Sequence, residues 1–159
     1  MKASIFVFTT VLGFVFASSV AIADVVELRP NDPVYVKLGK NIYMDQCASC
    51  HGVNLEGQEG WRDKMVDGMR LAPPHDRSGH TWHHPDELLF NLTKYGFEAM
   101  LGSKYKVSMP VYEGVLKDDE IIAALSYIKS RWPADIVEIH NKVNADYKLN
   151  KEMEKKVGS

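Results

Sequence analysis

Cys47-Ala48-Ser49-Cys50-His51 is the stretch on which the reading of this chain turns. Residues three apart on a helix share a face, so Cys47 and Cys50 point the same way. His51 follows directly and can turn its imidazole to the same side. Upstream, Asp32-Pro33 is a helix-start signal, an acid at the cap followed by proline at the first helical position. Val34, Leu38 and Ile42 recur every four residues, with Tyr35 and Tyr43 beside them, and predict an amphipathic helix running into Cys47. Gly52 supplies its stop.

Four chemistries suit a Cys-x-x-Cys pair, and three fit poorly. These are the only two cysteines in the chain, and a disulfide closing so short a loop contributes little to a domain of this size. A thiol–disulfide redox site belongs in a βαβ setting, and the sequence shows no strand-like alternation. A structural zinc site needs two further close ligands, and there is no second cysteine pair. The fourth is the attachment pattern for c-type haem: two thiols add across the vinyl groups of one porphyrin, and the adjacent histidine ligates the iron. One covalently bound haem c with its iron is therefore the expected cofactor.

Between Val53 and His84 there is little periodicity, and Gly57, Gly60, Gly68, Pro73, Pro74 and Gly79 punctuate the stretch. So long an irregular segment counts against a compact domain unless it wraps something other than protein. Pro85-Asp86-Glu87 opens the next helix, with Leu88, Leu89, Leu92 and Tyr95 as its expected buried stripe and Gly96 as its end. Residues 97–114 are irregular again. Asp118-Asp119-Glu120 starts the clearest helix, with Ile121, Leu125, Ile128 and Trp132 on one face. Pro133 ends or kinks it. Ile136, Ile139 and Val143 suggest one more helix, and the Lys/Glu-rich tail from Tyr147 is expected to fray.

Lys2, the apolar run from Ile5 to Ala17 and Ala21-Ile22-Ala23 read as a secretory signal peptide over residues 1–23, cleaved before Asp24. An oxidising compartment, the periplasm in a Gram-negative cell, is the expected destination, and the mature form is expected to be soluble. Of 19 Lys and Arg only Lys2 lies in that segment, so the mature chain carries a formal charge of about −3. That balance argues against a nucleic-acid partner.

With these residues in view, the chain resembles the class I c-type cytochromes of bacteria, over roughly residues 33–133. The resemblance rests on the helix entering Cys47-x-x-Cys50-His51, on Gly39 with Tyr43 four residues later, on the Met109-Pro110 loop, and on Leu125, Tyr127, Ile128 and Lys129 in the last helix. It implies an all-α fold, three to five helices and long loops wrapped around one haem, with the last helix crossing the first at Gly39. It leaves residues 24–32 as a leader and 134–159 as a helical extension and tail.

Met109 lies in irregular chain before a proline and is the best candidate for the second iron ligand, because a thioether holds ferrous iron well. Met44, Met65, Met69 and Met100 are rivals by residue type. Haem also brings two propionates, which need donors. Trp61, Trp82 and Arg62 are the candidates, with Arg70 nearby. His51 should donate its other ring N–H to a carbonyl, in this family a proline's, and Pro73 and Pro74 both qualify. His75, His80, His83 and His84 form a local cluster, readable as a second metal site of a kind suited to copper or as surface histidines. Lys94, Lys104, Lys106 and Lys117 flank the Met109 loop as a docking patch for an acidic redox partner or as a solvated face. The expected function is one-electron transfer between partner proteins, with no small-molecule substrate and no catalytic residue. The alternatives are a haem subunit of a larger dehydrogenase or oxidase complex, or a haem-based sensor.

Overall fold

The structure is a computed structural model and describes residues 26–158; the signal-peptide reading of residues 1–23 lies outside them. Within the described residues the chain forms helices α1 (Pro33–Gln46), α2 (Ala48–His51), α3 (Asp86–Tyr95), α4 (Phe97–Leu101), α5 (Asp118–Ser130) and α6 (Ala134–Val157). A 3-10 turn at Thr81–His83 and a hairpin of β1 (Met65–Val66) and β2 (Met69–Arg70) complete it.

The helix starts are set by local chemistry. Asp32 Oδ1 accepts the backbone N–H groups of Val34 and Tyr35 at 2.9 and 3.3 Å, which satisfies two orphan donors at the start of α1. At α5 the Glu120 carboxylate accepts the Lys117 N–H at 2.8 Å.

The core lies where α1 crosses α5. A Cβ on Gly39 would run into the backbone carbonyl of Ala123 and the Cβ of Tyr127, so only glycine lets the two backbones approach this closely. Tyr43 packs its ring 5.4 Å from that of Tyr127 and is fully buried, as is Ile121. All four residues of the expected α5 stripe, Ile121, Leu125, Ile128 and Trp132, are buried.

The α1 stripe is corrected. Val34 and Leu38 are exposed, and the buried positions are Gly39 and Tyr43. Close crossing requires the small residue at the contact, and that requirement outweighs the apolar period. In α3, Phe90 is buried beside Leu89 and Leu92, whereas Tyr95 is exposed.

Three further expectations fail, the first being that residues 97–101, read as irregular chain, form α4 between Gly96 and Gly102. The absence of strands is overturned by the β1–β2 hairpin, turned by Asp67 and Gly68 with φ of 52° and 75°. Both central residues in the left-handed region define the Asp-Gly type of two-residue turn. The frayed tail is instead helix as far as Val157. It is tied back to the domain: Asn144 bonds Asp86, and Lys151 lies 2.7 Å from Glu87. The leader is also docked, with the Leu28 N–H on Asp86 Oδ2 at 2.9 Å and the Arg29 N–H on Ser126 Oγ at 2.8 Å. Among the described residues no helix is long and apolar enough to cross a membrane.

Candidate haem site

The end of α1 presents the Cys-x-x-Cys-His stretch. Cys47 caps α1 with its N–H on the Tyr43 carbonyl, and the His51 N–H returns to the Cys47 carbonyl at 3.0 Å. Tyr43 then reaches forward, its hydroxyl donating to the Gly52 carbonyl at 2.7 Å. One residue thus serves the helix crossing and fixes the end of α2. Cys47 is half-buried and Cys50 exposed. Burial pushes the Cys47 thiol up to about 11.

His51 is buried, and its Nδ1 lies 2.8 Å from the Pro73 carbonyl. A carbonyl can only accept, so Nδ1 carries the proton and Nε2 keeps its lone pair. Burial lowers the His51 pKa, against the opposing pull of the Pro73 bond, and so favours the neutral imidazole that a metal requires. Of the two prolines the sequence left open, Pro73 is the acceptor. The loop is shaped to deliver it. The Gly57 N–H bonds the His51 carbonyl at 2.8 Å, and a Cβ on Gly57 would strike Pro73 and Pro74. Leu55 sits at φ 71°, a strained conformation for this side chain, and its carbonyl accepts the His75 N–H at 2.8 Å.

Met109 is half-buried and packs against the core. Its loop is pinned on both sides. Before it, the Arg70 N–H bonds the Lys106 carbonyl at 3.0 Å, joining the hairpin to the loop. After it, the N–H groups of Tyr112 and Glu113 bond the carbonyls of Thr93 and Lys94 at the end of α3. The Tyr112 hydroxyl donates to the Gln46 carbonyl at 2.7 Å, so the loop is also stitched to the helix that carries Cys47.

A cavity of about 390 Å³ lies beside Pro73, lined in part by Trp61, Arg62, Arg70 and His80. Trp61 stacks on His80 at 5.4 Å, and the Arg62 guanidinium lies 4.8 Å above the Trp61 ring while donating to the Ser78 carbonyl. Trp82 does not line this cavity and stacks on His83 at 3.7 Å, yet its Nε1 is buried with no hydrogen-bond partner. A buried donor without an acceptor costs about 1–3 kcal/mol, so a missing acceptor is implied there. A histidine with a free Nε2, a buried unpaired donor and a cavity edged by two arginines fit a haem with its anionic propionates.

The family model described as Cytochrome c matches residues 36–132. The chain belongs to the cytochrome c family. Its fold is accordingly the all-α class I type, its cofactor haem c, and its work haem-based electron transfer between redox partners. A curated relative, the cytochrome c2 iso-2 of Magnetospirillum molischianum, is 28% identical over 96 residues, covering 53% of this chain and 89% of the relative. No solved structure matches the chain significantly.

Among the described residues no group of three or more His, Cys, Asp and Glu side chains is placed to hold a metal ion. Two of the four clustered histidine rings of this cytochrome meet, His80 and His84 edge-on at 5.5 Å, and the cluster is otherwise spread over different neighbours. His75 lies against His51, His80 against Trp61 and His83 against Trp82, while the His84 carbonyl receives His140. Of the lysines near the Met109 loop, Lys94 is engaged with Asp118 at 2.7 Å, while Lys104 and Lys106 are exposed. Nothing in the spacing of His75 marks its contact with His51, so the sequence shows it only as one of four clustered histidines.

Proposed function

We propose that this cytochrome is a periplasmic electron carrier whose iron is ligated by His51 and Met109. The supporting observation is the His51–Pro73 bond, since it protonates Nδ1 and reserves Nε2 for a metal. Cys47 and Cys50 would hold the porphyrin through two thioether bonds. Met109 is favoured over Met44, Met65, Met69 and Met100 because its loop is anchored on both flanks, whereas these rivals are exposed. Trp82 Nε1, Trp61 and Arg62 would face the propionates. When bound, haem c supplies a one-electron couple at its iron, and His/Met ligation raises the potential relative to more basic ligand pairs. If His51 and Met109 both held the iron, no position would be left there for a substrate, which favours a carrier over an enzyme. Residues 1–23, read as a cleaved signal peptide, support the periplasmic assignment.

Expression with the haem-ligation machinery tests the reading. The reduced protein is expected to show the spectrum of a thioether-bound haem. Met109→Ala should lose the Met–Fe(III) absorption band, and Met100→Ala should keep it. Retention of the band in Met109→Ala overturns the ligand assignment. A colourless product with free thiols and intact helices overturns the function.

A further inference from the structure

Pro73 and Pro74 make the chain before His75 stiff, because each proline fixes its own φ and Pro74 holds Pro73 extended. That short strip reaches His51 twice. The Pro73 carbonyl takes the edge of the imidazole at 2.8 Å, and the ring of His75 covers its face, with centroids 4.0 Å apart and planes inclined by 21°.

His75 is itself held on every side. Its N–H bonds the Leu55 carbonyl at 2.8 Å, and its carbonyl accepts Trp132 Nε1 at 2.7 Å. Its Nδ1 lies 2.8 Å from Thr81 Oγ1, and Tyr43 meets its ring edge-on at 6.3 Å. A Cβ on Gly79 would collide with the Pro74 carbonyl, so the strip is backed closely from behind.

We propose that His75 is a positioning residue, which sets the plane of the His51 imidazole by stacking on its face. The inference rests on His51 being an iron ligand. A single hydrogen bond at Nδ1 tolerates a broad range of angles, and the terminal torsion of histidine is soft. The Pro73 bond alone therefore leaves the ring free to rock about its Cβ–Cγ bond. A second ring against its face, tethered through Thr81, removes that freedom. The residues that do this lie on the loop, on α1 and just beyond the end of α5, so the orientation of the ligand is coupled to the helix crossing through Trp132 and Tyr43.

The test uses the ferric holoprotein and proton NMR, in which the paramagnetically shifted haem methyl resonances report the orientation of the axial imidazole. The wild-type spectrum tests ligation by itself: absence of shifted methyls overturns the ligand reading and this inference with it. His75→Phe keeps a flat ring and is expected to keep the wild-type methyl pattern. His75→Leu removes it and is expected to shift and broaden the methyls while leaving the visible spectrum unchanged. A wild-type pattern in His75→Leu overturns the proposal, as does a His75→Phe pattern displaced as far as that of His75→Leu. If His75→Leu fails to take up haem, His75→Met decides, since it fills the same space without a flat face. Broadened methyls support the proposal and an unchanged pattern overturns it.

Discussion

The protein attaches two helices to its domain by opposite means. α5 meets α1 through an apolar crossing in which backbone lies on backbone at Gly39 and Ala123, with Tyr43 and Ile121 sealed beside it. Beyond Ile136, which reaches the apolar core, α6 is attached through buried polar groups. Asp86, at the start of α3, accepts from the Leu28 N–H and from Asn144 Nδ2, and its own N–H donates to Asn144 Oδ1. His140, fully buried one turn before Asn144, donates from Nε2 to the His84 carbonyl at 3.0 Å and packs against the edge of Trp132. The first contact depends on shape, and pH and salt do not enter it. The second depends on every polar group keeping its partner and its protonation state. The crossing carries the helix that ends at Cys47, and the polar dock fastens what lies beyond it.

The sharpest way to break the crossing is Gly39→Leu. The atom in the way is a helix-interior carbonyl, which cannot swing aside as a side chain can. Overpacking of this kind is expected to cost about 3 kcal/mol or more, a large share of the roughly 5–15 kcal/mol that holds a domain folded. Gly68→Ala is the control. Its φ of 75° carries a left-handed penalty of about 1–2 kcal/mol, but a Cβ there meets nothing within 4 Å. Denaturant midpoints of the two holoproteins should therefore differ clearly. Equal midpoints would mean that the crossing does not carry the fold.

The two attachments were unequally legible in the sequence. Ile121, Leu125, Ile128 and Trp132 repeat at helical spacing because they face one apolar surface, so α5 could be read directly. The spacing of Cys47, Cys50 and His51 is equally plain, because the haem attachment proposed for them demands a fixed interval. Gly39 was legible only through the resemblance to cytochromes, and the periodic residues of α1 pointed to the wrong face. The α6 dock has no period at all. Asp86, His140 and Asn144 look like ordinary surface residues in sequence, and only their meeting in space makes them structural. The same holds for His75 and for the choice between Pro73 and Pro74. The Asp67-Gly68 turn did carry a signal, but two-residue strands are too short to show alternation.

Acid should separate the two regions next. Burial and the nearby Lys129 hold the His140 pKa down to about 4, opposed by Asp86 and the His84 carbonyl. In the unfolded chain the group returns to about 6.5. The folded value is the lower one, so the unfolded state binds the proton first as pH falls. The His140 contribution is thus complete above about pH 6.5 and is lost progressively down to about pH 4. The total at stake is on the order of 3 kcal/mol. Chemical denaturation at pH 7 and pH 4.5 should show a smaller loss in His140→Phe than in wild type. An identical loss in both would remove His140 from the account of acid sensitivity.

The smallest effect tests how far the dock extends along α6. Lys151 sits 2.7 Å from Glu87, but their side chains keep 39% and 32% of their exposure. The hydrogen bond to Glu87 raises the Lys151 pKa, yet solvent screens most of that preference. Lys151→Ala is therefore expected to cost only about 0.2–1 kcal/mol, and less in high salt. Asn144, two turns earlier, spends its bonds on a buried carboxylate, where water offers no substitute. If Lys151→Ala cost as much as removing the Asn144 amide, the division between a sealed polar dock and a solvated outer half of the helix would fail. Denaturation in low and high salt decides it, because only a screened pair loses its contribution as salt is added.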